Sequence, residues 1–565
     1  MRRRIWLLAA AFTALWLVQV AQLWRWQVRE APVLARRAAA QRMRALQLAP
    51  RGLVLDRLGR PLTDPQPRWD VAVFPALAGS PDEVARALAR ATGEPAPVWA
   101  GRLRAHAGAG PYWAGAELTA GPARAVAAAE IPGVAAVPRP VRYGPGALAR
   151  HVIGYVNQAG GQLGLEAAFD AELRGDAGPH VAAFVDGSGR PLEGLGVRAV
   201  DVPAGKPPLS IRLTLDGRAQ AAVERILDGW SPPGPGAPLR AAVVVLDPRS
   251  GDILAMASRP QFDPLRPPVG PGAPGAAWAP LVNRAVAPYP PGSVFKPVVA
   301  AAALETGAVA PGEPFECSGS YTIGGQTFTD PRPGGHGRIT LAGALAQSCN
   351  ITFIRIGYER LGTDRMLATA RRFGFGAPVG IGLREEAGGF LPAPRYGGEV
   401  AQLAFGQGLL VTPLQVARAY AALVRDGLLP PVGLVDAVLG PDGTPLRRGP
   451  RAPAVPALAP EVARQIARDL EGVTDPNGTG TGRNAWVPGW GSAGKTGSAE
   501  VVTPDGLVVH SWFAGWTPLR DPRLVIAVLI EEGGAGGQGA ARLSREVARA
   551  LLDAGGPRPA RGRAP

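Results

Sequence analysis

Lysine is almost missing from this chain. Lys206, Lys296 and Lys495 are the only three among 60 Lys and Arg residues. A coding preference for Arg explains the general depletion, and it makes each surviving ammonium worth inspecting. Arg stays charged at any accessible pH, whereas a desolvated Lys, or one beside another cation, can lose its proton. Cysteine is just as scarce. Cys317 and Cys349 are the only two, too few for a disulfide framework, and Cys349 reads as a packed thiol. Charged residues make up 19% of the chain, yet the net charge is +15. Such an excess can serve nucleic acid, an anionic membrane or an anionic polymer. No aromatic-interleaved basic block, zinc spacing or helix-turn-helix pattern accompanies it. Nucleic acid therefore ranks low, and Arg spread by coding bias accounts for most of the charge.

Apolar residues are plentiful, at 46% of 565 residues, with Gly 76 and Pro 60. That is enough for two or more buried cores joined by many turns. At the amino end, Arg2, Arg3 and Arg4 precede an uncharged run of 20 residues, Ile5 to Trp24. This length crosses a bilayer, it exceeds a signal-peptide core, and no small-x-small cleavage site follows. The run reads as a retained signal-anchor. The Arg triplet keeps the amino end cytoplasmic, which places the rest of the chain outside.

Residues 26–50 are Arg-rich and helix-forming, a stalk helix. Residues 51–62 alternate around a turn, as a hairpin does. Residues 63–200 mix Ala-rich helices (82–92, 121–130) with short strands, and 201–208 is a linker by composition. A second, mixed α/β region starts near Ile211. It has a helix at 217–229 and a hairpin of 241–246 with 252–257. A helical run covers 294–304, and helices at 341–348 and 351–361 follow. Strands after Gly494 and a helix at 541–552 complete it.

Two of the three lysines sit in motifs. Ser293-Val-Phe-Lys296 comes first, Ser348-Cys349-Asn350 second and Lys495-Thr496-Gly497 third. On a helix, residues i and i+3 share a face, so Ser293 and Lys296 fall together. A serine hydroxyl needs a base before it is a useful nucleophile. Neutral Lys296 can be that base if burial and the positive charge of Lys495 depress its pKa. Ser348 can relay a proton to a leaving amine. Asn350 can hold a peptide. Lys495 with the hydroxyls of Thr496 and Ser498 suits a carboxylate. The backbone amides of Ser293 and Ser498 would form an oxyanion hole. Each motif alone is weak, but the ordered three are characteristic of active-site-serine enzymes acting on D-Ala-D-Ala peptides or β-lactams.

On these residues the chain resembles the class B penicillin-binding proteins, membrane-anchored D,D-transpeptidases of peptidoglycan synthesis. The likeness extends to Arg51-Gly52…Asp56-Arg57, to Gly164-Leu165-Glu166 with Leu173-Arg174-Gly175, and to Asp247-Pro248…Gly251-Asp252. Tyr289–Lys296, Gly406-Gln407-Gly408…Thr412-Pro413 and His510–Phe513 also match. Two departures stand out. Ser498 replaces a usual Thr and keeps its hydroxyl. A second cysteine that some relatives carry after Cys317 is absent, and with it the basis for a disulfide there. The resemblance implies an α+β protein. Residues 1–25 would be the cytoplasmic tip and transmembrane anchor and 26–50 the stalk helix. Residues 51–205 would form an elongated dimerisation-type pedestal. A transpeptidase domain would fill 206–553, with an antiparallel sheet flanked by helices, and 554–565 would be a disordered tail. It implies an acyl-enzyme on Ser293, made from a D-Ala-D-Ala stem and passed to a neighbouring stem's amine. Gly497 would join Asn350, Lys495, Thr496 and Ser498 in binding substrate. β-Lactams would inhibit, and a membrane glycosyltransferase would be the partner, since the segment before Pro140 leaves no room for such a domain. The site would lie outside the bacterial cell membrane and need no cofactor or metal.

Rival readings remain in view. Gly489–Thr496 satisfies the phosphate-loop pattern G-x-x-x-x-G-K-[ST], but Val487-Pro488 precedes it and a strand pattern follows. A β-lactamase needs a residue to activate the deacylating water, for which Glu385 and Glu386 are candidates only by being acidic. A β-lactam sensor would share the motifs, and a D,D-carboxypeptidase differs only in using water as acceptor. His336 and His510 read as lone structural histidines.

Overall fold

The computed structural model describes residues 2–31, 33, 43–47, 51–105, 110–157, 159–175, 178–184, 197–202, 206–231, 236–270, 272–273, 275–504 and 506–555. Most of the expected stalk helix and the tail from 556 onwards lie outside these residues. Helix α1 (Arg2–Trp24) contains the whole uncharged run. At about 1.5 Å per residue it is long enough for a hydrocarbon core of about 30 Å, and its side chains from Trp6 onward are exposed. It is the one helix among the described residues long and apolar enough to cross a membrane. Met43–Gln47, inside the expected stalk, is a strand rather than helix. It pairs antiparallel with Gly178–Phe184, Met43 opposite Phe184, and a strand partner overrides local helix propensity.

The chain divides into two compact units. The first comprises residues 1–50, 65–142 and 175–207. At its centre Trp69–Val73 is flanked by Tyr112–Trp113 and Val134–Pro138. Helices Pro81–Thr92, Ala96–Ala105 and Ala120–Ala128 supply Val84, Leu88, Trp99, Leu103 and Val126 to a core over Val71 and Val73. Ser80 opens the first of them with a reciprocal capping box to Glu83, and Pro81 follows at the first turn. Both features suit a helix start. Alternation sends Ala72 and Val137 to the opposite face, where they pack with Val181 and Ala183.

The second unit comprises residues 51–64, 143–174 and 208–565. Its frame is a five-stranded antiparallel sheet: β1 (Ala241–Leu246), β2 (Ile253–Arg259), β3 (Ala493–Thr503), β4 (Gly506–Thr517) and β5 (Leu524–Ile530), in the order β2-β1-β5-β4-β3. Both faces are covered, so the strands read as continuous apolar runs. Val243, Val245, Phe513 and Val528 face α2 (Gly217–Asp228) and a helix at Gly539–Asp553. Val244, Leu246, Trp512 and Leu529 face the opposite core. That core holds α3 (Lys296–Glu305), α4 (Leu341–Gln347), α5 (Asn350–Arg355) and α6 (Pro413–Leu423). Helices α3 and α6 are apolar nearly all round, as buried helices must be. β3 begins at Ala493, so Lys495-Thr496-Gly497 lies inside the edge strand, with Lys495 opposite Ala514.

The short boxes at 51–57 and 164–174 belong to this second unit. Arg51 bridges Glu166 at 2.5 Å and Asp170 at 2.7 Å. Asp56 accepts from the amides of Leu58 and Arg60, closing the expected turn. Arg57 reaches Asp252 at 3.3 Å, and Arg451 binds the same carboxylate at 2.6 Å.

Candidate active site

Ser293 sits in a tight turn, Gly292–Phe295, and α3 starts at Lys296 itself. Pro297 fits that start because the first helical amides have no intrahelical partner. The turn is pinned on several sides. Trp512 Nε1 donates to Pro290 O at 2.9 Å, and the Tyr420 hydroxyl donates to Val294 O at 2.9 Å. Gly292 N donates to Gly406 O at 3.0 Å. Gly406 has φ +89°, and a Cβ there would lie 1.9 Å from Gly292 O. Glycine is therefore required by close approach as well as by conformation.

Lys296 has no exposed surface. Its Nζ donates to Ser348 O at 2.7 Å and Asn350 Oδ1 at 2.7 Å, and lies 3.3 Å from Ser348 Oγ. Burial drives its pKa down to about 7, against the opposing pull of Cys349 and the Asp330 carboxylate. A neutral amine has two N–H donors and one lone pair. The two short bonds use the donors and leave the lone pair for a hydroxyl proton.

Ser348 caps α4 in the left-handed region, φ +60°. A non-glycine residue there costs about 1–2 kcal/mol, and such strain collects where geometry serves a site. Its hydroxyl is shared: Lys495 Nζ lies 2.9 Å from Ser348 Oγ on the other side, and donates to Thr496 O at 3.1 Å. Lys495 is also fully buried. Burial first, and then the charge of Lys296, hold its pKa well below the ordinary range. Burial is the leading cause at Lys296 as at Lys495, and repulsion between the two ammoniums, both beside Ser348 Oγ, disfavours the charged form of each.

The motifs converge on one open cleft of about 750 Å³, lined by Ser293, Ser348, Asn350, Thr496 and Ser498. Lys296, Lys495 and Gly497 lie buried beside them. A Cβ on Gly497 would come within 2.8 Å of Pro291 O, so glycine lets the edge strand meet the serine turn. Sequence reasoning missed Thr481. Its Oγ1 lies 2.7 Å from Thr496 Oγ1, and its amide donates to Ala346 O at 3.0 Å. No motif marks this residue; only the fold places it in the cleft. The phosphate-loop reading of 489–496 fails here, because the lysine is buried in a strand and no helix follows. Glu386 accepts from the amides of Val379, Gly380 and Ile381, and neither it nor Glu385 lines the cleft.

The family description "Penicillin binding protein transpeptidase domain" matches residues 241–553, and "Penicillin-binding Protein dimerisation domain" matches residues 46–206. The chain belongs to the penicillin-binding protein transpeptidase family. It is 32% identical over 494 residues to the probable peptidoglycan D,D-transpeptidase PbpC of Pseudomonas aeruginosa, covering 85% of this chain and 82% of that one. It is 34% identical to stage V sporulation protein D of Bacillus subtilis, covering 72% of this chain but 62% of the relative. Against PbpB of Mycolicibacterium smegmatis it is 33% identical, covering 73% of this chain and 64% of the relative. Among solved structures, penicillin-binding protein 3 of Mycobacterium tuberculosis in complex with aztreonam is similar, with TM-score 0.63 and 27% identity, covering 91% of this chain and 97% of that one.

Behind the cleft lies a second cluster. His336 has no ligand spacing in the sequence, yet it is not alone in the fold. The ligand atoms of Cys317, Asp330, His336 and Cys349 all lie within 4.8 Å of one another. Two thiols, an imidazole and a carboxylate are a donor set that could hold a zinc-type ion. Burial raises the Cys349 thiol to about 12, so an ion would have to displace that proton. The cluster also steadies the site: Asp330 Oδ2 accepts from Asn350 N at 2.9 Å.

Proposed function

We propose that this protein is a peptidoglycan D,D-transpeptidase working through a serine acyl-enzyme. One observation carries the reading: the Ser348 hydroxyl lies between two buried lysines, of which Lys296 follows Ser293 by three residues and has its pKa lowered to about 7. Lys296 takes the Ser293 proton as Oγ attacks the carbonyl between the two terminal D-Ala residues of a stem. The backbone amides of Ser293 and Ser498 hold the oxyanion, an effect of about 3 kcal/mol per donor. The proton passes through Ser348 to the departing D-Ala amine, and the C–N bond breaks. The amine of a second stem then attacks the ester, returns its proton by the same relay and frees Ser293. Asn350 holds the stem's backbone. Lys495, Thr496 and Ser498 receive the terminal carboxylate, whose charge favours the protonated form of Lys495 against the pull of burial. Gly497 keeps the strand close to the serine turn.

The same reading places α1 in the bacterial cell membrane with its amino end inside and the cleft outside. Residues 51–205 would act as the pedestal and 206–553 as the catalytic domain. A membrane glycosyltransferase would supply the glycan strands. The test is intact-protein mass spectrometry after exposure to benzylpenicillin, with a stem-peptide assay alongside. We expect a long-lived adduct of one penicillin on Ser293, none on Ser293→Ala, and dimeric peptide from two stems. Labelling at another residue, or rapid loss of the adduct, overturns the transpeptidase reading. Release of D-Ala without dimer would assign a carboxypeptidase instead.

A further inference from the structure

Glu500 is the only charged side chain among the described residues lining the cleft. It is exposed, and no ion pair or hydrogen bond joins it to any described residue. It faces Val509 across β4, and its neighbours along the strand, Val502 opposite Leu507, are apolar and also line the cleft. Thr496, Ser498, Glu500 and Val502 are spaced by two along β3 and share one face. Each step of two advances about 6.6–6.8 Å.

This spacing gives the strand a direction, on the transpeptidase reading above. Lys495 and Thr496 take the terminal carboxylate, and the Ser498 amide takes the scissile carbonyl. The part of the donor that precedes the scissile bond therefore runs toward Glu500. A carboxylate there, without a partner among the described residues and with Val502 and Leu507 beside it in the cleft, attracts a cation and repels an anion. We infer that Glu500 is a specificity-determining residue that favours donors carrying a free amine on the side chain just before the D-Ala-D-Ala terminus. The same charge sorts β-lactams by the charge on their acyl side chain.

The experiment compares acylation rates of the full chain by three penicillins. One carries an ammonium in its acyl side chain, one is neutral and one carries a second carboxylate. Wild type, Glu500→Gln and Glu500→Lys are measured at low and physiological salt. An exposed pair of this kind shifts rates by about two- to fivefold, and salt screens it. Glu500→Gln should slow the ammonium penicillin by about threefold and speed the dicarboxylate by about threefold. Glu500→Lys should reverse the wild-type preference, and the neutral penicillin should change little in any variant. A D-Ala-D-Ala peptide with its preceding side-chain amine acetylated should lose the wild-type advantage of the free amine, mainly in KM. An unchanged cation-to-anion ratio in both variants, or an equal change with the neutral compound, overturns the inference. If the neutral penicillin never acylates wild type, the catalytic reading fails first and the inference falls with it.

Discussion

Lys296 is buried in a form that water would not choose for it. Its ordinary pKa of 10.5 falls to about 7 in the fold. Between those values the unfolded chain holds more protons than the folded one, so stability rises with pH from about 7 to 10.5. Below that window the full penalty is present, on the order of 5 kcal/mol. Lys296→Met should therefore stabilise the protein at pH 7, and should reduce the rise in stability between pH 7 and 10 in denaturant titrations, the remainder coming from Lys495, whose pKa is lowered too. A rise equal to wild type would show that another group titrates. Activity should move the other way. Acylation by penicillin should climb with pH through about 7, because the neutral amine is the base. Lys296→Arg should lose that limb and about 10²–10⁴ in rate, since a guanidinium cannot accept the proton. Acylation of the Arg variant at near wild-type rate would refute the base assignment.

At the scale of elements, the site is a meeting of three pieces. These are the serine turn ahead of α3, the joint between α4 and α5, and the edge strand β3. None of them is held by a disulfide; both cysteines are free. Backbone contacts at glycines fix the spacing instead. Gly406→Ala would set a Cβ 1.9 Å from Gly292 O and force a residue with a side chain into the left-handed region. The serine turn must then move. A displacement near 1 Å at reacting atoms costs about 10²-fold, so we expect acylation to drop at least that far while far-UV circular dichroism stays close to wild type. An acylation rate within a few-fold of wild type would show that the loop relaxes without disturbing Ser293.

For the whole molecule, the decisive feature is α1. Its exposed apolar surface, Trp6 through Trp24, has no protein cover among the described residues. A surface of that length suits the lipid setting proposed above. On the proposed orientation, with Arg2–Arg4 inside, protease added to intact spheroplasts should remove everything beyond residue 50 and leave a short membrane-bound fragment. Full protection until lysis would refute the orientation. Removing α1 should yield a soluble chain that still acylates, because every site residue belongs to the second compact unit.

The motifs, their order, the apolar N-terminal run and the hairpin at 241–257 were legible in the sequence alone. Each is local: a spacing, a run length or an alternation. The scarcity of lysine even singled out the two ammoniums that meet at Ser348. The rest depends on residues distant in the chain and needed the fold. It brought Thr481 to Thr496, gathered Cys317, Asp330, His336 and Cys349, and left Glu500 alone in the cleft. It turned part of the expected stalk into a strand, because a partner 133 or more positions away supplies the hydrogen bonds. It also made burial the larger cause of the Lys296 shift. Charge is visible in a sequence, but desolvation depends on how completely the fold excludes water.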